Sequence, residues 1–186
     1  MLNDIKKLNF DITNTNEKTM KYRITIFLLI FLAFLVKAQN NIKISSAEVS
    51  FLFVNNDVNG TLAGFTSEST IDFDQIENSK LKGTVKVETI STGNSIRNWS
   101  LRRSKYFDAD SYPNITFEST SIKQTGEIIV VSGKLTIKDV TKNIDFRFER
   151  NNNQLVGKTT LYSSDYGISI KDEREKNKVE VKLYFY

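Results

Sequence analysis

Along much of this chain apolar and polar side chains alternate one for one. Leu81, Gly83, Val85 and Val87 interleave with Lys82, Thr84, Lys86 and Glu88. Ile144, Phe146 and Phe148 interleave with Asp145, Arg147 and Glu149, and Val179, Val181, Leu183 and Phe185 with Glu180, Lys182 and Tyr184. A period of two sends successive side chains to opposite faces of an extended backbone, so each run reads as a strand with one buried face. Shorter stretches of the same kind occur at Val49-Phe51-Phe53, Ile71-Phe73, Ile115-Phe117, Leu135-Ile137 and Leu155 to Leu161. Turn signals separate them at Asn55-Asn56-Asp57, Glu77-Asn78-Ser79, Gln124-Thr125-Gly126 and Asn151-Asn152-Asn153. About eight such strands, with no helix between most of them, predict an all-β antiparallel barrel or sandwich. A closed barrel of about eight strands holds either packed side chains or one small ligand.

Ser95 to Phe107 breaks the alternation. Ile96, Trp99, Leu101 and Phe107 stand there among Arg97, Arg102, Arg103 and Lys105 with no period of two, and the segment reads as a short helix capping one end of the barrel. The other departure is at the start of the chain. Met20-Lys21-Tyr22-Arg23 precedes an uncharged run from Ile24 to Val36 and then Lys37-Ala38-Gln39, the three-part layout of a secretory signal. The run is shorter than the roughly 20 apolar residues of a permanent span. The expected organisation is an upstream extension over residues 1–19, a signal peptide over 20–38 and a barrel domain over 39–186, located in the periplasm or secreted.

Composition narrows the chemistry. The 186 residues include no Cys and no His. Disulfides, thiolate metal sites, thiol nucleophiles and every Ser-His or Cys-His pair are therefore excluded, and no metal or cofactor is expected. The formal charge of +4 comes mostly from the start, because 20 Lys/Arg face 19 Asp/Glu after Ala38. So balanced a charge offers nothing to nucleic acid.

The chain resembles the YceI-like family of exported lipid-binding proteins over most of residues 39–186. The resemblance begins at Val49-Ser50-Phe51, Gly60 to Phe65 and Ile71-Asp72-Phe73-Asp74. Its most recognisable block is Ser91-Thr92-Gly93-Asn94, Arg97, Leu101 and Tyr106-Phe107-Asp108 before Tyr112-Pro113-Asn114-Ile115-Thr116-Phe117. Gly133 to Lys142 (GKLTIKDVTK) resembles the family's strand and turn, and Asp165-Tyr166-Gly167-Ile168 its following corner. The resemblance implies a lipocalin-like eight-stranded barrel whose apolar tunnel holds an isoprenoid or other long-chain lipid. The sequence departs from the family where Ser46-Ala47 replaces a common His-Ser pair and where Asn98 and Ser100 stand after Arg97 in place of Asp and His.

The candidate tunnel lining is Phe51, Phe53, Phe73, Val85, Val87, Phe117, Ile137, Phe146, Phe148 and Leu183. The alternative for the same set is a solid core. Trp99, Leu101, Tyr106 and Phe107 form either a lid around the tunnel mouth or a plain seal. Arg97 is either a contact for an anionic headgroup or half of a structural ion pair. Asp108 with Asp110, and Asp165 with Asp172, are turn residues rather than catalytic pairs, since no separation in space follows from their spacing. The expected function is a non-catalytic carrier of an isoprenoid or fatty acyl lipid, with no stable membrane span once the signal is removed. The competing readings are an outer-membrane β-barrel and an enzyme acting on a lipid within the barrel. The near-neutral surface suits a monomer or a dimer equally.

Overall fold

The computed structural model describes residues 41–44, 46–72, 74–151 and 154–185. The segments expected to be an upstream extension and a signal peptide, and Phe73, lie outside the described residues, as do Asn152 and Asn153 of the predicted asparagine turn.

The alternating runs form strands, although the run from Leu81 to Glu88 does so only over Lys82–Lys86 and turns as a 3-10 helix at Val87–Thr89. The centre of the fold is a meander of β7 (Asn114–Thr125), β8 (Ile128–Ile137), β9 (Val140–Asn151), β10 (Gln154–Tyr162) and β11 (Lys178–Phe185), each antiparallel to the next. β11 then pairs with β2 (Ala47–Phe53), and β2 with β3 (Val58–Leu62), in register from Val49 opposite Leu62 to Phe53 opposite Val58. At the other end β7 pairs with β6 (Lys82–Lys86), which pairs with the two-residue β4 (Thr66–Ser67). The main sheet thus has nine strands rather than the expected eight. The extra one arises because β3 and β4 are two halves of a single bent strand. Gly64 sits between them at φ 69°, a left-handed conformation that interrupts the ladder.

That bend brings the two ends of the sheet together. Thr61 and Ser91 exchange backbone hydrogen bonds of 2.8 and 3.0 Å, and Lys86 N donates to Ala63 O at 3.1 Å. Thr89 Oγ1 accepts from Ala63 N at 2.8 Å and so occupies an edge amide beside the break. The edges that an open sheet would expose are bonded to each other instead. A separate ribbon pairs β1 (Asn41–Lys43) with β5 (Thr70–Asp72).

The hairpins turn where the sequence signals stand. Asp57 and Lys138 adopt φ of 50° and 58°, ending β2–β3 and β8–β9, and Gly126 at φ 61° turns β7 into β8. The irregular basic segment is helical only over its first half. Helix α1 spans Ser95–Leu101, with Asn94 capping it by accepting from Arg97 N at 2.9 Å, and the chain from Arg102 to Tyr112 is a series of turns. A side chain at this position satisfies an amide that the first helical turn leaves free.

Inward-facing residues form two apolar layers along the barrel. One contains Ile122, Val131, Phe146, Phe148 and Phe185, together with Ile44, Ile71 and Leu81. The other contains Val49, Val85, Val87, Ile115, Leu135, Ile137, Tyr166 and Ile168. Beyond β10, Asn177 holds a loop together with no exposure at all. Its Oδ1 accepts from Ile170 N and Lys171 N, and its Nδ2 donates to Lys171 O and Glu173 O, at 2.7 to 3.0 Å. All four hydrogen-bonding positions of that amide are in use.

Candidate functional site

Between the two layers the barrel is hollow. A cavity of about 300 Å³ is bordered by inward side chains of β2, β6, β7, β8, β9 and β11 and by the irregular segments at one end. That volume lies at the lower end of the range of about 300 to 1,000 Å³ usual for small-molecule pockets.

The hollow survives because several rings lie flat on the wall. Phe51 covers Gly60, Phe65 covers Gly83, Phe117 covers Gly133 and Phe148 covers Gly157, each ring occupying the space a Cβ would take. At Gly83 a Cβ would stand 2.8 Å from Phe65 Cε2, far inside van der Waals contact. Glycine on the neighbouring strand therefore lets a bulky ring lie along the sheet rather than project across the barrel. The rings also brace one another. Phe148 stacks on Phe185 with centroids 5.5 Å apart, Phe146 meets Phe117 edge to face at 5.2 Å, and Phe65 lies 6.1 Å from Phe185.

The two serine hydroxyls on the wall are bonded to backbone. Ser69 Oγ donates to Lys82 O and accepts from Lys82 N, and Ser163 Oγ donates to Ile168 O at 2.7 Å. The ammonium of Lys82 pairs with Glu68 Oε2 at 2.8 Å, where both side chains are well exposed. No Asp or Glu lines the cavity among the described residues. Their side chains also hold no group of acidic residues able to bind a metal ion.

The cavity opens at the end where α1 lies, where exposed Asn56, Arg97 and Ile170 border it. Arg97 is fixed there by neutral partners. Its Nε donates to Thr92 Oγ1 and its Nη2 to Thr92 O, both at 2.8 Å. Thr92 Oγ1 in turn donates to Asn98 Oδ1 at 2.7 Å, which also accepts from Thr92 N. No carboxylate lies within ion-pair distance of Arg97 among the described residues, so the structural ion pair weighed from sequence is not its fate. Its guanidinium is positioned but not neutralised.

Of the predicted lining, Phe51, Phe53, Val85, Phe117, Ile137, Phe146, Phe148 and Leu183 border the cavity. Val87 does not. At 1% exposure it is packed in the core behind the wall. Leu101 and Phe107 border the opening. Trp99 is 55% exposed and faces away, with Arg103 stacked 4.5 Å from its ring centroid, because α1 turns that position outward. Tyr106 packs on the core layer beside the opening without reaching the cavity.

Sequence reasoning missed Val49, Leu135, Val181 and Phe185, which border the cavity and share the parity of residues that were named. It also missed Phe65, Thr92 and Ile168, which stand in segments with no period. The acidic corner is structural. Arg174 clasps Asp165 with two hydrogen bonds of 2.8 and 2.7 Å and lies 3.6 Å over the Tyr162 ring. Those bonds hold the Asp165 carboxyl below its ordinary pKa. Burial, aided by the Asp165 charge, pushes the Tyr166 hydroxyl up to about 12, so it stays neutral.

The YceI-like domain family matches residues 36–186. The chain belongs to that family. Among its relatives, a UPF0312 protein of Photorhabdus laumondii is 35% identical over 85 residues, covering 46% of this chain and 44% of the relative. Protein YceI of Salmonella newport is 25% identical over 135 residues, covering 71% of this chain and 68% of the relative. The alignments thus span about half to two thirds of the length of these curated relatives. Burkholderia cenocepacia BcnA superposes with a TM-score of 0.64 at 22% identity, covering 75% of this chain and 94% of that one. A domain from Saccharophagus degradans described as polyisoprenoid-binding superposes at 0.53 with 13% identity, covering 78% and 95%. At such identities these two likenesses concern the fold.

Proposed function

We propose that this YceI-like chain is an exported, non-catalytic carrier that holds the hydrocarbon tail of an isoprenoid or fatty acyl lipid inside its barrel. The observation that carries the reading is the hollow itself, walled mostly by apolar side chains, with the Ser69 and Ser163 hydroxyls already bonded to backbone. Such a wall favours hydrocarbon, since each methylene moved into it from water gains about 0.8 kcal/mol. The polyisoprenoid-binding description of the Saccharophagus degradans neighbour supports the same class of ligand. Arg97 at the opening suits a headgroup with negative charge, since a guanidinium presents paired donors to carboxylate or phosphate. Trp99 is better placed outside the opening than as a lid.

The signal read at residues 20–38 supports export to the periplasm or beyond, with the barrel beginning at Gln39. Catalysis has little to work with. The cavity wall carries no carboxylate among the described residues, and the chain has no His or Cys. A membrane-embedded barrel is disfavoured by the outward faces. On β9 Asp145, Arg147 and Glu149 face solvent while Phe146 and Phe148 face in, the reverse of a lipid-facing strand. No helix among the described residues is long and apolar enough to cross a membrane.

The test is native mass spectrometry of protein produced with its own signal, followed by denaturing lipid extraction. A mature mass starting at Gln39 with a co-purified isoprenoid or fatty acyl species is expected. Protein without any adduct, and without uptake of such lipids when offered, would overturn the carrier reading.

A further inference from the structure

The helix beside the opening presents one side to the cavity and the other to solvent. Arg97 and Leu101, four residues apart, look into the cavity. Ile96 and Trp99, three apart, share the other side and are exposed by 77% and 55%. These are the two most exposed large apolar side chains among the described residues, and they adjoin one another instead of being scattered singly over the surface.

The chain around them is rich in bases, bounded by Glu88 on one side and Asp108 on the other. From Thr89 to Phe107 the chain has four bases, Arg97, Arg102, Arg103 and Lys105, and no acid. The rest of the domain from Gln39 holds 16 bases and 19 acids, so the positive charge is concentrated here. None of the four bases has a carboxylate partner among the described residues. Arg102 is held by carbonyls of Asn98 and Glu88, Arg103 lies over Trp99, and Lys105 lies 5.5 Å from the Tyr106 ring centroid.

We infer that this patch docks the open end of the barrel onto an anionic lipid surface. Ile96 and the Trp99 ring would enter the boundary between headgroups and acyl chains, where an indole with one wet edge is at home. Arg102, Arg103 and Lys105 would meet lipid phosphates, their stems lying along the apolar side. A protein partner of matching charge could also face a basic patch. The exposed Ile96 and Trp99 lie on one short helix and face away from a hydrocarbon-lined opening, which favours the membrane. Docked this way, the opening that α1 borders lies next to the bilayer, and a tail has a short path between membrane and cavity. That last consequence rests on the carrier reading; the docking does not.

Trp99 is the only tryptophan of the chain, so its fluorescence reports on α1 alone. The purified mature protein is titrated with vesicles of phosphatidylcholine, with and without phosphatidylglycerol, and with brominated lipids as quenchers. The expected result is a blue shift and quenching that require the anionic lipid and weaken with salt. The paired variant Arg103→Gln, Lys105→Gln should bind these vesicles about 25-fold more weakly, at about fivefold per base. Ile96→Ser should lose binding while keeping the same far-ultraviolet dichroism. Unchanged Trp99 emission with both vesicle types, or binding that the two variants leave intact, overturns the inference. Uptake of cis-parinaric acid from vesicle-free solution is read separately. Uptake without vesicle binding refutes the docking and leaves the carrier standing, whereas vesicle binding without uptake does the reverse.

Discussion

The pairing of rings with glycines makes a sharp test of what keeps the barrel hollow. Gly157 on β10 stands directly opposite Phe148 on β9. In Gly157→Ala the new Cβ would overlap Phe148 Cε1, with Cζ at 2.6 Å and Cδ1 at 2.8 Å. The ring cannot retreat into the wall. Phe148 has no exposure and is backed by Phe185 at 5.5 Å and Phe146 at 6.1 Å. The remaining free volume is the cavity, so the ring swings inward. The strain should cost about 1–3 kcal/mol, as overpacked cores do, a fall in Tm of roughly 2–12 °C for a domain of this size. Each ligand methylene the ring displaces forfeits about 0.8 kcal/mol, so losing three weakens binding about 60-fold. The assays are thermal unfolding and binding of cis-parinaric acid. Gly126→Ala is the control, because Gly126 is at φ 61° and its Cβ would meet nothing within 4 Å. It should lower stability through backbone strain alone and leave binding untouched. Adding Phe148→Leu to Gly157→Ala should restore binding by shortening the displaced side chain. If Gly157→Ala binds the probe like wild type, the glycines do not maintain the hollow, and the account of the cavity fails.

Three further outcomes follow from the geometry. Asn177→Ala should destabilise the domain by about 2–4 kcal/mol in chemical denaturation, since it removes four hydrogen bonds to the backbone of Ile170, Lys171 and Glu173. The Asp165 carboxyl is held below the usual carboxylate range by Arg174, so its stabilising contribution is complete above that range and disappears as pH falls through the lowered folded value. The Tm gap between wild type and Asp165→Asn should accordingly close on acidification below about pH 4. A constant gap down to pH 2 would show that the charge of Asp165 is not what matters. Arg97→Gln should leave the Tm nearly unchanged and weaken a fatty acid about fivefold, as an exposed ion pair does, while the corresponding fatty alcohol binds as before. Equal losses for both would remove Arg97 from headgroup recognition.

The strands were readable because one face of each is buried, which imprints a period of two that no other element shares. The same parity identified Phe51, Phe117, Phe146 and Phe148 as inward. Parity is silent on depth. Val87 has the same sign as Val85, yet it is sealed in the core while Val85 borders the cavity. Where the backbone leaves the ladder the signal ends. Phe65 and Ile168 reach the cavity from irregular segments, and Trp99 faces away from it because α1 turns that position outward.

The sequence by itself determined an all-β antiparallel fold, the identity of most inward residues, the absence of His and Cys chemistry, and the concentration of bases beside Trp99. Those properties follow from local periodicity and composition, which a single chain displays directly. Only the tertiary structure decided that the core is hollow, that β3 and β4 are one bent strand closing the barrel, and that Arg97 reaches the opening without a counter-charge. A void depends on which glycine lies under which ring across two strands, as Gly157 lies under Phe148. That registry arises only when distant segments pair, so no local pattern contains it.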